Sequence, residues 1–235
     1  MAFPSVTSVT ETAHTASTTH TADLPATVAD GDLLVLIHTA YAPGAVSTPS
    51  GWTQLYQNTF ADGISDSIAT TFIRDGVSGD GGGTAAMTLT NSEVGCSQVY
   101  RIAASSWFGT LAGVEAATAE GSSSTPDPAS LTPSWGSADT LWIAVAHLVD
   151  DSAIATAAPS SYTDLNTLVG NGAADRQTSV ATARRENATA TENPGTFTLP
   201  QSEAWTGATI GVRPAAASGG GMQLVGGAGL VGSNG

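Results

Sequence analysis

Four histidines are the side chains of this 235-residue chain best suited to bind a metal ion or to move a proton. His14 and His20 are six residues apart, so on one regular strand they share a face but lie about 20 Å from each other. They can bind the same ion only if the chain turns back between them. His38 and His147 end two similar apolar runs at corresponding places, which favours a structural role. The histidines therefore predict no metal site.

Pairs of carboxylates are the second pattern with chemical potential, because glycoside hydrolysis uses two of them. Asp30 and Asp32 flank Gly31 and are typical of a turn that starts a strand. Clustered loop oxygens also suit Ca²⁺, and such a site would use Asp30, Asp32 or Asp75 together with Asp80. The calcium site stays an alternative, and the residues predict no catalytic group and no cofactor.

The charge balance excludes several classes of partner. The chain has 20 acidic and 6 basic residues, a formal net charge of −14, and arginine as its sole basic residue type. So few cations cannot build a face for nucleic acid, and an anionic membrane surface repels the chain. Reactions that need a lysine are excluded as well. The one cysteine, Cys96, allows no internal disulfide and is typical of a small buried thiol.

Tryptophans provide a candidate binding surface. Trp107 and Trp135 lie in loop-like segments, where exposed indole rings would stack on sugars. Alternatively they anchor loops in the core, as expected of Trp52 and Trp142, which lie at or within predicted strands. Core and loop anchoring is the favoured role of the tryptophans; if the chain binds a host-surface glycan, Trp107 and Trp135 are the candidate contacts.

Short strands must position these side chains. The apolar runs are β-branched or aromatic and are bounded by Gly, Pro, Asp or Ser, a pattern typical of an all-β sandwich or barrel. They are residues 33–37, 68–73, 99–102, 141–145 and 208–212. The best helix candidate is residues 111–119, but it contains a glycine and a threonine, so it predicts at most a short helix.

An internal repeat organises the chain. Residues 49–55 align with 159–165, and residues 88–93 align with 198–203, at an offset of 110 residues. Each half also has a hairpin pattern, in which Asp62-Gly63 or Asn171-Gly172 supplies the positive φ angles of a tight turn. We expect four or five strands in each half.

The repeat predicts a single β-sandwich, jelly-roll-like, over residues 1–214, with antiparallel halves at about 25–104 and 131–214. Two small domains are the alternative, although the segment that joins the halves is short. Residues 6–24 alternate Thr with Ala, Ser, Val or His and predict an edge strand or a hairpin.

The composition changes after Pro214. Residues 215–221 are typical of a flexible linker, and residues 222–235 form a Gly-rich apolar tail. The tail is either an unstructured terminus or a docking segment for a partner or another copy of the chain. The docking residues would be Met222, Leu224, Val225, Leu230 and Val231.

Four segments of the chain resemble a family of small structural proteins of tailed bacteriophages. They are residues 30–35 (Asp-Gly-Asp-Leu-Leu-Val), 49–55, 138–144 and 208–214. The resemblance covers residues 4–214 and implies a non-enzymatic virion protein, on the capsid surface or tail, that acts as a decoration, spike or fibre-associated component. It brings no catalytic residues. Its partners would be other virion proteins and copies of itself, with a trimer as the working oligomer.

The sequence also bears on the location of the protein and on an alternative function. Residues 1–6 have no basic start and no apolar run, so we expect synthesis in a host cytoplasm without a signal peptide and release within a virion. No stretch has the length of a membrane span, so no membrane partner is expected. The alternative function is a lectin-like carbohydrate-binding module that recognises glycans on the host surface.

Overall fold

The protein is all-β in its computed structural model, which describes residues 2–42, 44–61, 66–149, 154–172 and 177–216. In these residues two five-stranded antiparallel sheets pack as a β-sandwich. The predicted all-β class and the sandwich architecture are confirmed, and each half supplies five strands.

The first sheet takes its strands from the first half of the chain. They are β1 (Val6–Asp23), β2 (Leu33–Tyr41), β3 (Thr53–Ala61), β4 (Asp66–Asp75) and β5 (Thr84–Ile102). These strands lie side by side in the order β1-β5-β2-β4-β3, so β1 and β3 are the edges.

The second sheet repeats this order with the second half of the chain. Its strands are β6 (Val114–Ser123), β7 (Ala138–Leu148), β8 (Thr163–Val169), β9 (Ser179–Thr189) and β10 (Glu203–Val212), in the order β6-β10-β7-β9-β8. A jelly roll distributes consecutive strands over both of its sheets. Because each sheet here is one continuous half, the jelly-roll part of the prediction is not confirmed.

The helix candidate at residues 111–119 forms no α-helix. Leu111–Gly113 forms one 3₁₀ turn, and the chain then enters β6 at Val114. The alanines of β6 pair with the neighbouring strand β10, so tertiary pairing overrides the helix preference of alanine. Within the described residues we find no helix with the length and hydropathy of a membrane span.

Both predicted hairpins are present as antiparallel pairs. β3 pairs with β4, and β8 pairs with β9. Asn171 and Gly172 form bends after β8, whereas Asp62 and Gly63 lie outside the described residues. Both edge strands, β3 and β8, also have a register irregularity near their first residues.

Both faces of each central strand are buried, which explains why β2 and β7 are continuous apolar runs. Leu33 and Val35 of β2 point between the sheets into an interface cluster shared with the second half. Leu34 and Leu36 point to an outer cluster made only from the first half, and the second sheet has a matching outer cluster of its own. The thiol of Cys96 is buried in the interface cluster as predicted, and burial raises its pKa.

The first strand confirms the edge-strand prediction, but it bends. β1 pairs with β5 along its length, with register irregularities between His14 and Ser17 and between Ser17 and Thr19. Beyond the bend, Ala22 of β1 and Met87 of β5 belong to the outer cluster of the first sheet. This end of the β1–β5 pair therefore covers the outer face of that sheet.

Candidate functional site

Three of the four histidines meet at the bend of β1 and form a histidine cluster. The rings of His14 and His20 stack with their centroids 4.4 Å apart, and the centroid of the His38 ring lies 5.6 and 5.2 Å from them. One nitrogen from each ring lies within 4.8 Å of the others. The expectation that His14 and His20 lie far apart is wrong, because the irregularities in β1 turn the strand between them.

The missing side chain of Gly95 in β5 makes room for the cluster. Gly95 lies opposite His14, and a Cβ at position 95 would come within 2.6 Å of the His20 ring and 2.7 Å of a backbone oxygen of β2. Ser97 lies opposite His38 in the β2–β5 pairing. Glycine at position 95 therefore permits the ring of His20 to enter, and all three histidines are buried.

A directed chain of hydrogen bonds fixes the protonation of the rings. The carbonyl oxygen of Glu93 only accepts, so Nε2 of His20 donates to it over 2.8 Å. Nδ1 of the neutral His20 ring then accepts from Nε2 of His38 over 3.3 Å. Ser97 Oγ donates to Nδ1 of His38 over 2.9 Å and accepts from Nε2 of His14 over 2.8 Å. This assignment satisfies every bond with three neutral rings.

Burial keeps the cluster neutral at pH 7. Burial lowers the pKa of His14 to about 3, with repulsion from a charged His20 as the second cause. Burial also lowers the pKa of His20, and it lowers the pKa of His38 well below the ordinary value. The cluster therefore offers imidazole lone pairs instead of protons, which suits a metal ligand better than an acid catalyst.

The fourth histidine links the two sheets. His147 lies in the interface, where Thr39 Oγ1 is 2.6 Å from its Nδ1 and the Tyr56 hydroxyl is 2.9 Å from its Nε2. Burial lowers the pKa of His147 to about 3. The predicted equivalence of His147 and His38 is wrong. His38 lies on the same outward face of β2 as Leu36, whereas His147 points inward and bonds to the other sheet.

Two of the acidic candidates are bonded to arginines. Asp32 accepts from Arg101 Nε at 2.5 Å and from two backbone amides at 2.7 and 2.9 Å. Burial alone would raise the pKa of Asp32, but these bonds lower it. Asp80 is paired with Arg74. Among the described residues, the histidine cluster is the one group in which three ligating side chains come within reach of a single ion, so the calcium alternative gains no support.

Of the two tryptophans predicted to contact glycans, one lies between the sheets and the other on the outer face of the second sheet. Trp107 is 2% exposed in the interface cluster, and its indole N–H donates to the Gly31 carbonyl over 2.8 Å. Trp135 is half-buried, donates to Thr140 Oγ1 over 3.1 Å and lies against Gly211 on the outer face of the second sheet. Trp107 therefore offers no ring face to a sugar, and the two rings form no shared platform.

An open polar groove lies between the start of β1 and strands β8 and β9. Asp164 of β8 accepts from Arg184 Nε at 2.7 Å, and both side chains are partly exposed. The bond from Arg184 lowers the pKa of Asp164. Val6 and Tyr100 complete the walls. The sequence did not single out this groove, because its residues come from strands that are far apart in the chain.

The histidine cluster was missed from the sequence, although one signal points to it. His38 lies opposite Ser97 in the first sheet, whereas Ala146 lies opposite Gly207 at the matching place in the second sheet. Residues that the repeated scaffold needs should recur in both halves, and these do not. A histidine found in one of two repeats is therefore a better site candidate than one found in both.

Comparisons with known proteins leave the geometry as the guide to function. No family model, curated protein or solved structure matches this chain.

The docking residues predicted in the tail lie outside the described residues; they are Met222, Leu224, Val225, Leu230 and Val231.

Proposed function

We propose that the chain is a non-enzymatic structural component of a tailed-phage virion, on the capsid surface or tail, as a decoration, spike or fibre-associated protein. The observation that carries the proposal is a duplicated sandwich whose buried carboxylates hold the scaffold together. Asp32 is bonded to Arg101, and Glu192 is bonded to Arg185. Charges used in this way suit a part that must keep its shape, and the sequence resemblance supports the same role.

Two features suit assembly with other subunits. β1 is an 18-residue edge strand rich in Thr, Ser and Ala, and edge strands offer backbone groups to a neighbouring chain. The net charge of −14 keeps copies soluble before they assemble. The assembled unit would be a cyclic homo-oligomer, in the first instance a trimer, with residues 222–235 as its docking segment.

Deletion of residues 219–235 tests the role of the tail. We expect the shortened chain to keep its circular dichroism spectrum and melting temperature, because the described sandwich ends by residue 216. It should lose its oligomer in analytical ultracentrifugation and its place in virions imaged by cryo-electron microscopy. Normal incorporation of the shortened chain into virions would contradict the docking role of residues 222–235. A full chain that stays monomeric and never enters particles would contradict the virion role.

The alternative is a lectin-like module for host-surface glycans, and the groove beside β8 favours it. Arg184, Asp164 and Asn166 line this groove and can bond to sugar hydroxyls. Glycan-array binding that is lost in Arg184→Ala and kept in Arg213→Ala would support the lectin role. Arg213 is a matched control because it packs over the Phe108 ring at 3.9 Å. An array without any bound glycan would contradict it.

A further inference from the structure

We propose that the histidine cluster is a binding site for a divalent transition-metal ion, with Zn²⁺ as the favoured ion. The site joins three pieces of the first sheet: β1 before its bend, β1 after its bend, and β2. Because its ligands, His14, His20 and His38, lie within one chain, the site does not depend on the proposed virion role.

Each ring has one nitrogen tied to an oxygen and one left for a ligand. Nε2 of His20 donates to the Glu93 carbonyl. Nε2 of His14 and Nδ1 of His38 lie 2.8 and 2.9 Å from Ser97 Oγ, whose two lone pairs can accept from both. Metal-binding histidines are held in this way, with the second ring N–H donating to an oxygen.

The remaining nitrogens converge. Nδ1 of His20 and Nε2 of His38 are 3.3 Å apart. Two nitrogen ligands of a tetrahedral Zn²⁺ ion, each about 2.0–2.1 Å from the metal, are separated by about 3.3–3.4 Å. One nitrogen from each of the three rings lies within 4.8 Å of the others, so His14 completes the set when its ring turns out of its stacked contact. Water would occupy the fourth position, as in other three-histidine zinc sites.

Binding would shift one proton within the cluster. In the chain without metal, Nε2 of His38 carries the hydrogen and donates to His20. With the ion bound, that hydrogen moves to Nδ1 of His38 and is donated to Ser97 Oγ. The metal thus replaces the bond between His38 and His20. Neutral imidazoles favour Zn²⁺, Co²⁺ or Cu²⁺ over Mg²⁺ and Ca²⁺, which prefer oxygen ligands.

Titration of the untagged full chain with Co²⁺, followed by Zn²⁺, tests the site. One equivalent of Co²⁺ should give the visible absorption of a four-coordinate ion, and Zn²⁺ should remove it. His20→Ala and His38→Ala should abolish the absorption; alanine at 38 has a precedent at the matching position in the second sheet. His147→Gln, a buried histidine outside the cluster, should keep it. Ser97→Ala should weaken Zn²⁺ binding about 10–100-fold.

Nitrogen-15 NMR of the unaltered chain keeps the test decisive even where a variant fails to fold. One equivalent of Zn²⁺ should shift Nδ1 of His20 and Nε2 of His38, and it should move the ring proton of His38 to Nδ1. The proposal is overturned if no Co²⁺ absorption develops. It is also overturned if Zn²⁺ binds while these nitrogens stay unchanged, since surface carboxylates would then hold the ion.

Discussion

The two halves of the molecule share one strand order but close their outer faces differently. In the first half, β1 has 18 residues, and its bend brings histidines over Ser97. In the second half, the matching strand β6 has 10 residues, and a Cβ at Gly207 would meet Pro128 at 2.9 Å. A loop therefore covers in the second sheet what the histidine cluster covers in the first. The same strand order forms with either covering. The histidines are therefore not required for the fold.

What recurs in both halves is an arginine paired with a carboxylate, with an aromatic residue in contact with the pair. In the first half, Arg74 pairs with Asp80 and lies 5.7 Å from the Trp52 ring centroid. In the second half, Arg185 pairs with Glu192, which also accepts from the tyrosine hydroxyl at the position of that tryptophan. Because the contact is repeated, it belongs to the scaffold, whereas the histidine cluster belongs to one half alone.

Acidification should have the largest effect on stability. The unfolded chain binds protons at the ordinary histidine pKa of about 6.5, whereas folded His14 and His147 bind them only near a pKa of about 3. The unfolded state thus binds more protons in this window, so the free energy of unfolding falls as the pH falls from about 6.5. From pH 6.5 to pH 5 each of these two histidines should remove about 2 kcal/mol. Urea denaturation at pH 5, 6 and 7 measures the loss.

Two variants divide this pH dependence between the interface and the cluster. His147→Gln should remove the share of the interface and leave that of the cluster, whereas His14→Gln should remove the share of His14 and leave those of the interface and of the other two cluster histidines. Identical pH slopes in the wild type and both variants would show that buried histidines do not set the dependence.

Gly95→Ala should break the first half with the next largest effect. The added Cβ would meet the ring of His20 at 2.6 Å and the carbonyl oxygen of Thr39 at 2.7 Å, and a backbone atom cannot yield easily. We expect a loss of about 3 kcal/mol in the free energy of unfolding. Adding His20→Ala should recover part of that loss, since it removes the ring but not the carbonyl. A fully stable Gly95→Ala chain would contradict the close approach.

The strands could be predicted from the sequence because their signals are local. β2 and β7 are apolar on both faces, and Gly-containing turn sequences lie between β3 and β4 and between β8 and β9. The histidine cluster could not be predicted in this way. It depends on two register irregularities in β1 and on the missing side chain of Gly95, which lies 75 residues beyond His20 in the chain. In the sequence, neither feature can be distinguished from the pattern of a regular strand.

The recurring arginine–carboxylate pair allows a matched test of the scaffold. Glu192→Gln removes a carboxylate with 3% side-chain exposure, and Asp80→Asn removes one with 15% exposure. We expect the free energy of unfolding to fall by about 2 kcal/mol in Glu192→Gln and by about 1 kcal/mol in Asp80→Asn. The arginine that loses a more buried partner is less able to bond to water instead. Urea denaturation of the two variants gives the order. The reverse order would show that the two halves do not use the pair alike.

The smallest effect should come from a turn that the halves build with different residues. Gly51 has a φ of 79° and Ser161 a φ of 69°, at the same place in two turns closed by similar backbone hydrogen bonds of 3.1 and 3.0 Å. This left-handed region favours glycine, since a Cβ there adds strain. Ser161→Gly should therefore stabilise the chain by about 0.5–1 kcal/mol, and Gly51→Ser should destabilise it by a similar amount. Opposite shifts in the melting temperatures of the two variants would show that the two turns are equivalent. Shifts of the same sign would show that the repeat includes the strands but not these turns.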